Sequence, residues 1–400
     1  MGNCLVTKLK GSVNNNELLR IGEIRMRIAK VGNPTDANRG FTISVNKPVV
    51  LEIVGDGYFT DKTLAENKGK TITLNTGDNG VWVSNDNVEI AILDKYSITA
   101  ISSLYPQSPV SYGSSLDLNL SDLKYSTALA SLNLNRAQIT GDIANLKGLT
   151  ALVSLYLGGT QITGDIANLK GLTALASLNL DGTQTTGDIA NLKGLTALTN
   201  LNLDGTQITG DIANLKGLTA LTNLNLNRAQ ITGDIANLKG LTALTSLYLK
   251  NTQVTGDIAG ISPLIKLKDA NLNHVTGNIS AINNTKLTSI IISNSGGLSG
   301  DIAKLKSDFI YLGTDGDTTS EFTWSSRDSG SVTFGNGGRP IIISNLDDML
   351  INMAQCRNGI TSSSASWVKG ISYQGNRTSA SDAAVEKLQQ YGYTISIAKA

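Results

Sequence analysis

A Gly-Asp-Ile triplet recurs at Gly141, Gly164, Gly187, Gly210, Gly233 and Gly256, each 23 residues after the last, and no other feature of the 400-residue chain constrains its fold as tightly. Self-similarity at so short a period means that one supersecondary unit is being copied, and a unit of this size cannot bury its own apolar side. The copies must stack, each covering the next, into a coil with a continuous core and protected ends. Two degenerate copies follow at Gly277-Asn278-Ile279 and Gly300-Asp301-Ile302, after steps of 21 and 23 residues, so the array frays toward its end.

One unit runs Leu149-Thr150-Ala151-Leu152-Val153-Ser154-Leu155-Tyr156-Leu157-Gly158-Gly159-Thr160-Gln161-Ile162-Thr163-Gly164-Asp165-Ile166-Ala167-Asn168-Leu169-Lys170-Gly171. Leu152, Leu155, Leu157, Ile162, Ile166 and Leu169 are spaced so that a short strand and a looser return limb turn their apolar side chains into one coil. Neighbouring strands about 4.8 Å apart then pair into a parallel sheet. The pattern resembles a leucine-rich repeat, and the Gly-Asp-Ile segment is similar to the Gly-x-Ile-Pro segment of plant-type repeats with Ala in place of Pro. That resemblance implies a second short strand or a 3₁₀ turn in the return limb. One position departs from the family: where it carries an Asn that bonds the loop backbone, this chain has Thr160, Thr183, Thr206 and Thr252, or Ala137 and Ala229. A Thr hydroxyl supplies part of such a ladder, whereas Ala supplies none.

The flanks follow other rules. Ile24, Met26 and Ile28, then Val49 to Val54, Thr71 to Leu74, Val81 to Val83 and Val88 to Leu93, alternate like half-buried strands, with turns expected at Gly55-Asp56-Gly57 and Asp78-Asn79-Gly80. They predict an antiparallel β-sandwich. Beyond Leu312 the period is lost. Strands are expected at Ile341 to Ile343, Ile371 to Tyr373 and Thr394 to Ile397, a helix capped by Asn345 over Leu346 to Cys356, and another opening at the capping-box segment Ser379-Ala380-Ser381-Asp382. The expected fold class is therefore multidomain and mostly β: a sandwich over residues 1–112, the solenoid over 113–312, and a small α/β unit over 313–400 that covers the last open repeat.

Charges nearly cancel, with 33 Lys and Arg against 32 Asp and Glu and no basic cluster, so neither nucleic acid nor an anionic membrane is indicated as a partner. Cys4 and Cys356 lie in separate terminal regions and read as buried free thiols rather than a disulfide framework. The start Met1-Gly2-Asn3-Cys4 has Val6 where a myristoylation signal wants Ser or Thr, and Lys8, Lys10 and Asn14 to Asn16 interrupt any signal-peptide pattern. A soluble protein without membrane insertion is expected.

No constellation for catalysis, metal or cofactor can be assembled. His274, the single histidine, lies in the degenerate repeat and reads as structural. Gly335-Asn336-Gly337-Gly338 lacks the Lys-Ser/Thr of a phosphate loop, and Asp315-Gly316-Asp317 and Asp56-Gly57 are too short for a calcium loop. An acid pair drawn from Asp181 and Asp204 has no base or cofactor motif beside it. The column Asp142 to Asp257 is expected to be neutralised by the parallel column Lys147, Lys170, Lys193, Lys216 and Lys239.

Where repeats differ is more informative. Thr-Gly-Asp-Ile-Ala-Asn-Leu-Lys-Gly-Leu-Thr-Ala-Leu is unchanged in five successive units, and the changes fall within the strand and just after it. Outward strand positions form three columns. Ser131, Ser154, Ser177, Asn200, Asn223 and Ser246 make the first; Asn133, Tyr156, Asn179, Asn202, Asn225 and Tyr248 the second; Asn135, Gly158, Asp181, Asp204, Asn227 and Lys250 the third. Amides with two tyrosines suit a protein or glycan surface. The expected ligand-binding residues are Asn133, Asn135, Tyr156, Asn179, Asp181, Asn200, Asn202, Asp204, Asn225, Asn227, Tyr248 and Lys250, with the two tyrosines about 19 Å apart at ordinary strand spacing, clamping an extended polar ligand.

The opening Asn3-Cys4-Leu5-Val6-Thr7-Lys8-Leu9-Lys10-Gly11 with Gly22-Glu23-Ile24-Arg25, and the closing Arg377 to Asp382 with Gly392-Tyr393-Thr394, resemble segments of virion proteins, head-fibre or tail-associated, from phages of gut Bacteroidetes. The resemblance implies a chain on the particle surface: the N-terminal domain contacts other virion proteins, the repeats face a host-surface glycan or protein, and homo-oligomers are possible. The other reading is a bacterial leucine-rich-repeat adhesin or secreted effector at the cell surface. Both are non-catalytic.

Overall fold

The structure is a computed structural model. It describes residues 24–28, 40–54, 59–60, 68, 71–83, 88–92, 98–103, 114–283, 287–293, 295, 297–305, 309–313, 321–323, 333–335, 341–343, 347, 350–351, 370–374, 378–390 and 394–396. The chain divides into two compact units, Met1–Thr185 and Thr186–Ala400.

In the first unit two sheets begin in the N-terminal module and run on into the repeats. Phe59–Thr60, Gly77–Val83, Gly40–Val45 and Ile98–Ser103 pair antiparallel in that order. Ile98–Ser103 then pairs in parallel with Ser131–Asn133, which is followed by Ser154–Tyr156 and Ser177–Asn179. In the other sheet Thr71–Leu74, Val49–Val54, Val88–Ile92, Ile24–Ile28 and Ser114–Asn119 pair antiparallel. Ser114–Asn119 continues in parallel to Ala137–Asp142 and Gln161–Asp165. The sandwich buries Ile43, Val45, Leu51, Ile53, Val81, Ile90 and Ile101. Its two sheets cover both strand rows of the first repeat, whose edges would otherwise present unpaired backbone groups.

The expected strands at Val49 to Val54, Thr71 to Leu74 and Val88 onward are present, and Gly40–Val45 and Ile98–Ser103 add two that the alternation did not single out. Asp78-Asn79-Gly80 is not a turn. These residues pair with Ser44, Ile43 and Thr42 inside the strand Gly77–Val83, and the chain bends just before, at Thr76, where it passes from one sheet to the other. A complete ladder against Gly40–Val45 outweighs local turn preference here. The expected turn at Gly55-Asp56-Gly57, the motif Asp315-Gly316-Asp317, and both cysteines lie outside the described residues.

Each regular repeat is built alike. Ser154–Tyr156 forms a strand, the chain turns, Gln161–Asp165 forms a second strand, and Ile166–Leu169 forms a 3₁₀ turn. The six inward residues named from the sequence are fully buried, as is the Leu of the Gly-Leu-Thr step, Leu149 or Leu172. Both forms of return limb implied by the plant-type resemblance are therefore present in one coil. The repeat array is a leucine-rich-repeat solenoid, mostly β and carried by parallel strands.

In the second unit one row of parallel strands comprises Asn200–Asn202, Asn223–Asn225, Ser246–Tyr248, Asp269–Asn273, Ser289–Ser293, Phe309–Gly313 and Thr333–Gly335. The return row passes from Gln207–Asp211 through Gln230–Asp234 to Gln253–Asp257, which pairs with Val275–Asn278. It goes on through Leu298–Asp301, Glu321–Thr323, Ile341–Ile343, Gly370–Gln374 and Thr394–Ser396. Parallel pairing thus continues past Leu312, where the sequence period has already disappeared. The C-terminal helix spans Asp382–Gln390 and follows a 3₁₀ turn, Ser379–Ser381. Its cap lies one residue earlier than the capping box indicates: Thr378 accepts from the Ala380 N–H, and the Asp347 carboxylate accepts from the N–H and hydroxyl of Thr378. Of the helix expected over Leu346 to Cys356, Asp347, Leu350 and Ile351 are described, and they are helical.

Candidate ligand-binding face

The residues that repeat without change have local structural duties. Asp165 caps the 3₁₀ turn of its repeat: its backbone is extended at φ −92°, and its Oδ1 accepts from the Ala167 N–H at 2.7 Å. Asn168 Nδ2 donates to the Asp165 carbonyl at 3.0 Å. Asp142, Asp188, Asp211, Asp234 and Asp257 make the same cap. The aspartate column is therefore a capping column rather than half of an ion-pair ladder, and no ion pair joins it to the lysine column among the described residues. A carboxylate that satisfies an orphan N–H at a turn start is worth more than an exposed ion pair to a flexible Lys.

The threonines at the departing family position also act locally. Thr160, Thr183, Thr206 and Thr252 donate to the carbonyls of Leu157, Leu180, Leu203 and Leu249, three residues back in the same repeat, at 2.6 to 2.7 Å. The turn is closed within the repeat, not along the array. Where Ala137 and Ala229 stand instead, a side chain two residues earlier makes the link to the next repeat. Asn135 Oδ1 accepts from the Gly158 N–H and Asn227 Oδ1 from the Lys250 N–H, both at 2.7 Å. The residue between is left-handed, Arg136 at φ 59° and Arg228 at φ 61°, where a Thr repeat places Gly159.

With those duties assigned, the outward strand positions remain. In the first unit Ser131, Asn133, Ser154, Tyr156 and Asn179 are half-buried or, for Ser177, buried. Tyr156 stands beside Asn133 and Asn179 in register. Asn133 Oδ1 is buried without a partner. Gly158 is small for a reason: a Cβ there would strike the Asp181 carboxylate and come within 3.1 Å of Asn179 Nδ2, so these two side chains lean over the gap. Asn179 Oδ1 accepts from the Asp181 N–H at 3.0 Å.

In the second unit Asn202 Oδ1 accepts from the Asp204 N–H at 3.2 Å and Asn225 Oδ1 from the Asn227 N–H at 3.1 Å. Asn223 Nδ2 donates to Asn200 Oδ1, and Thr245 Oγ1 to Asn223 Oδ1 at 3.4 Å. The carboxylate of Asp204 is engaged by Arg228 Nε at 2.8 Å. Tyr248 is half-buried between Asn225 and Asn271 in register, and Lys250 is exposed at the next outward position. Of the acid pair considered from the sequence, the Asp204 carboxylate is engaged by Arg228, and the Asp181 N–H is bonded to Asn179 Oδ1.

His274 is exposed at a left-handed position, φ 54°. Among the described residues no group of three or more His, Cys, Asp or Glu is placed to hold a metal ion, and no helix is long and apolar enough to cross a membrane.

No protein-family model matches the chain, and no curated protein matches it. Solved structures do. The ectodomain of the plant receptor kinase GASSHO1/SCHENGEN3 from Arabidopsis thaliana is 19% identical over 54% of this chain and 30% of its own, with a TM-score of 0.44. Internalin C2 from Listeria monocytogenes is 28% identical over 50% of this chain and 83% of its own, with a TM-score of 0.41. The Arabidopsis receptor kinase HAESA ectodomain is 23% identical over 57% and 40%, with a TM-score of 0.45. This chain spans 30% of the GASSHO1/SCHENGEN3 ectodomain and 41% of the plant peptide hormone receptor RGFR1 that it also matches.

Proposed function

We propose that this chain is a non-catalytic recognition protein, displayed outside the cell on a phage particle, which presents the strand face of its repeats to a polar ligand on the host surface. One observation carries the reading. The polar side chains that recur around the turns have partners within the fold: Asp165 and its counterparts cap, Asn168 ties the cap, and Thr160, where a repeat carries it, closes the turn. Variation falls in the strand and the residues beside it, and on the outward strand positions Asn, Ser, Tyr, Asp and Lys alternate between copies whose Thr-Gly-Asp-Ile-Ala-Asn-Leu-Lys-Gly-Leu-Thr-Ala-Leu segment is unchanged. A surface that only had to be soluble would not need its differences gathered on this side of the repeat, and solenoids commonly recruit this face for binding.

The N-terminal sandwich is the attachment module in this reading. Its sheets cover the first repeat, and the resemblance of both chain ends to virion proteins supports a place on the particle. The reading is tested by immunogold labelling of intact particles against the repeat segment, with binding of purified full-length chain to host cells measured in parallel. Label on the particle surface and saturable cell binding are expected. Absence of the chain from purified particles contradicts the virion assignment, and cells that fail to bind it contradict the recognition assignment.

A further inference from the structure

The outward amides of the second unit are not free to face either way. Asn202, Asn225 and Asn227 each direct Oδ1 at a main-chain N–H, of Asp204, Asn227 and Lys250 respectively. Asn200 Oδ1 accepts from Asn223, and Asn223 Oδ1 accepts from Thr245. Every outward amide oxygen from Asn200 to Asn227 therefore accepts a hydrogen bond from the protein itself, which orients the amide. The oxygen of an amide is its acceptor and the NH₂ its donor, so fixing the oxygen fixes what the ligand meets. That leaves the NH₂ groups of Asn202, Asn225 and Asn227 as what these side chains can offer a ligand, and none of these nitrogens is buried without a partner. Beside them Tyr248 offers a hydroxyl and Lys250 an ammonium group, while the Asp204 carboxylate is already engaged by Arg228.

We infer that this part of the strand face binds a carboxylate-bearing glycan, recognised as a row of hydrogen-bond acceptors; the inference rests on the strand face being the binding surface. A polypeptide brings N–H donors and C=O acceptors in equal number, and a donor-presenting face would leave its N–H groups unpaired. Nor does the face supply the buried apolar anchors on which protein interfaces usually depend. Sugar rings suit it better: ring and carboxylate oxygens accept only, hydroxyls accept as readily as they donate, and the Tyr248 ring gives the apolar face of a pyranose a flat contact. Lys250 lies where a carboxylate would be held by charge as well as by hydrogen bonds.

Asn→Asp isolates the claim. Asp keeps the oxygen that accepts the main-chain N–H, so the strand and its turn are preserved, but the NH₂ becomes a carboxylate oxygen. Full-length protein carrying Asn202→Asp and Asn225→Asp is titrated against polygalacturonate, with dextran as a neutral glycan and poly-glutamate as an acidic polypeptide. Parent protein should bind polygalacturonate in preference to both others. The double variant should keep its unfolding midpoint and lose binding by about tenfold or more, and Lys250→Gln, which leaves every amide in place, should also weaken it. Preference of the parent for poly-glutamate or dextran, or no binding to polygalacturonate, overturns the inference. If Tyr248→Ser weakens binding to host cells while the Asn→Asp variant does not, the donor row is wrong and the strand-face reading survives; if neither variant weakens it, both fail.

Discussion

A Cβ placed on Gly164 would fall onto the carboxylate of Asp142, the residue one repeat earlier that caps the turn beginning at Ile143. Gly164 also sits at φ +101°, where an L side chain is strained. Gly and Asp of the triplet therefore belong to different contacts. The Asp caps its own repeat, and the Gly of the next repeat leaves room for that cap. This is why the pair repeats together, and why Gly210 over Asp188 and Gly233 over Asp211 show the same approach in the second unit.

Gly164→Ala should accordingly destabilise the protein by about 1 to 3 kcal/mol, combining backbone strain with displacement of the Asp142 cap. Gly171, where an added Cβ meets nothing within 4 Å, provides the contrast. Gly171→Ala should be neutral or stabilising by up to about 1 kcal/mol. Chemical denaturation of the two variants, read by far-UV circular dichroism, distinguishes them, and equal effects would refute the contact.

Asp165→Ala should cost about 1 kcal/mol through loss of the cap, whereas Lys170→Ala should change stability by less than about 0.5 kcal/mol. If the two columns neutralised one another, the losses would be similar and would shrink together in high salt. Thermal midpoints of both variants at low and high salt provide the comparison.

Thr185 occupies the position held by Ile162 and Ile208 in other repeats, yet it is fully buried. Its hydroxyl lies 2.9 Å from that of Thr183, which also donates to Leu180. Because Thr183 keeps that second partner, Thr185→Val removes a buried polar group without leaving another unsatisfied. We expect no loss of stability and a gain of up to about 1 kcal/mol. A loss above about 1 kcal/mol in equilibrium denaturation would show that the hydroxyl pair contributes more than this.

The regular repeat was legible almost in full. Leu152, Leu155, Leu157, Ile162, Ile166 and Leu169 are inward as their spacing requires, because a period that survives in identical copies has one geometric solution. The irregular ends were legible only where local signals coincide with pairing. Ile341–Ile343 could be read from β-branched residues, but the parallel ladders from Phe309–Gly313 onward could not, since pairing between strands far apart in sequence leaves no trace once the period is lost. Asp78-Asn79-Gly80 misled for the same reason: its local preference is for a turn, and its partners are in Gly40–Val45. At the strand face, residue types pointed to the outward columns. What sequence could not supply was the hydrogen-bonded orientation of Asn202, Asn225 and Asn135, each of whose amide oxygens is committed to a main-chain N–H. Nor did it give the capping duty of the Asp column, which charge alone made look like half of an ion-pair ladder.

The central claim, that the outward strand positions are the recognition surface, is tested most directly by measuring host-cell binding of a protein carrying both Tyr156→Ser and Tyr248→Ser. These side chains are half-buried on the strand face and contribute little to the core, so the unfolding midpoint should shift only slightly. Leu178→Ala is the control for misfolding, because Leu178 is only 1% exposed and its truncation should cost about 2 to 5 kcal/mol through the cavity it leaves. The account predicts that the double tyrosine variant keeps parental stability and binds about tenfold more weakly or worse. Binding equal to that of the parent, at unchanged stability, would contradict it.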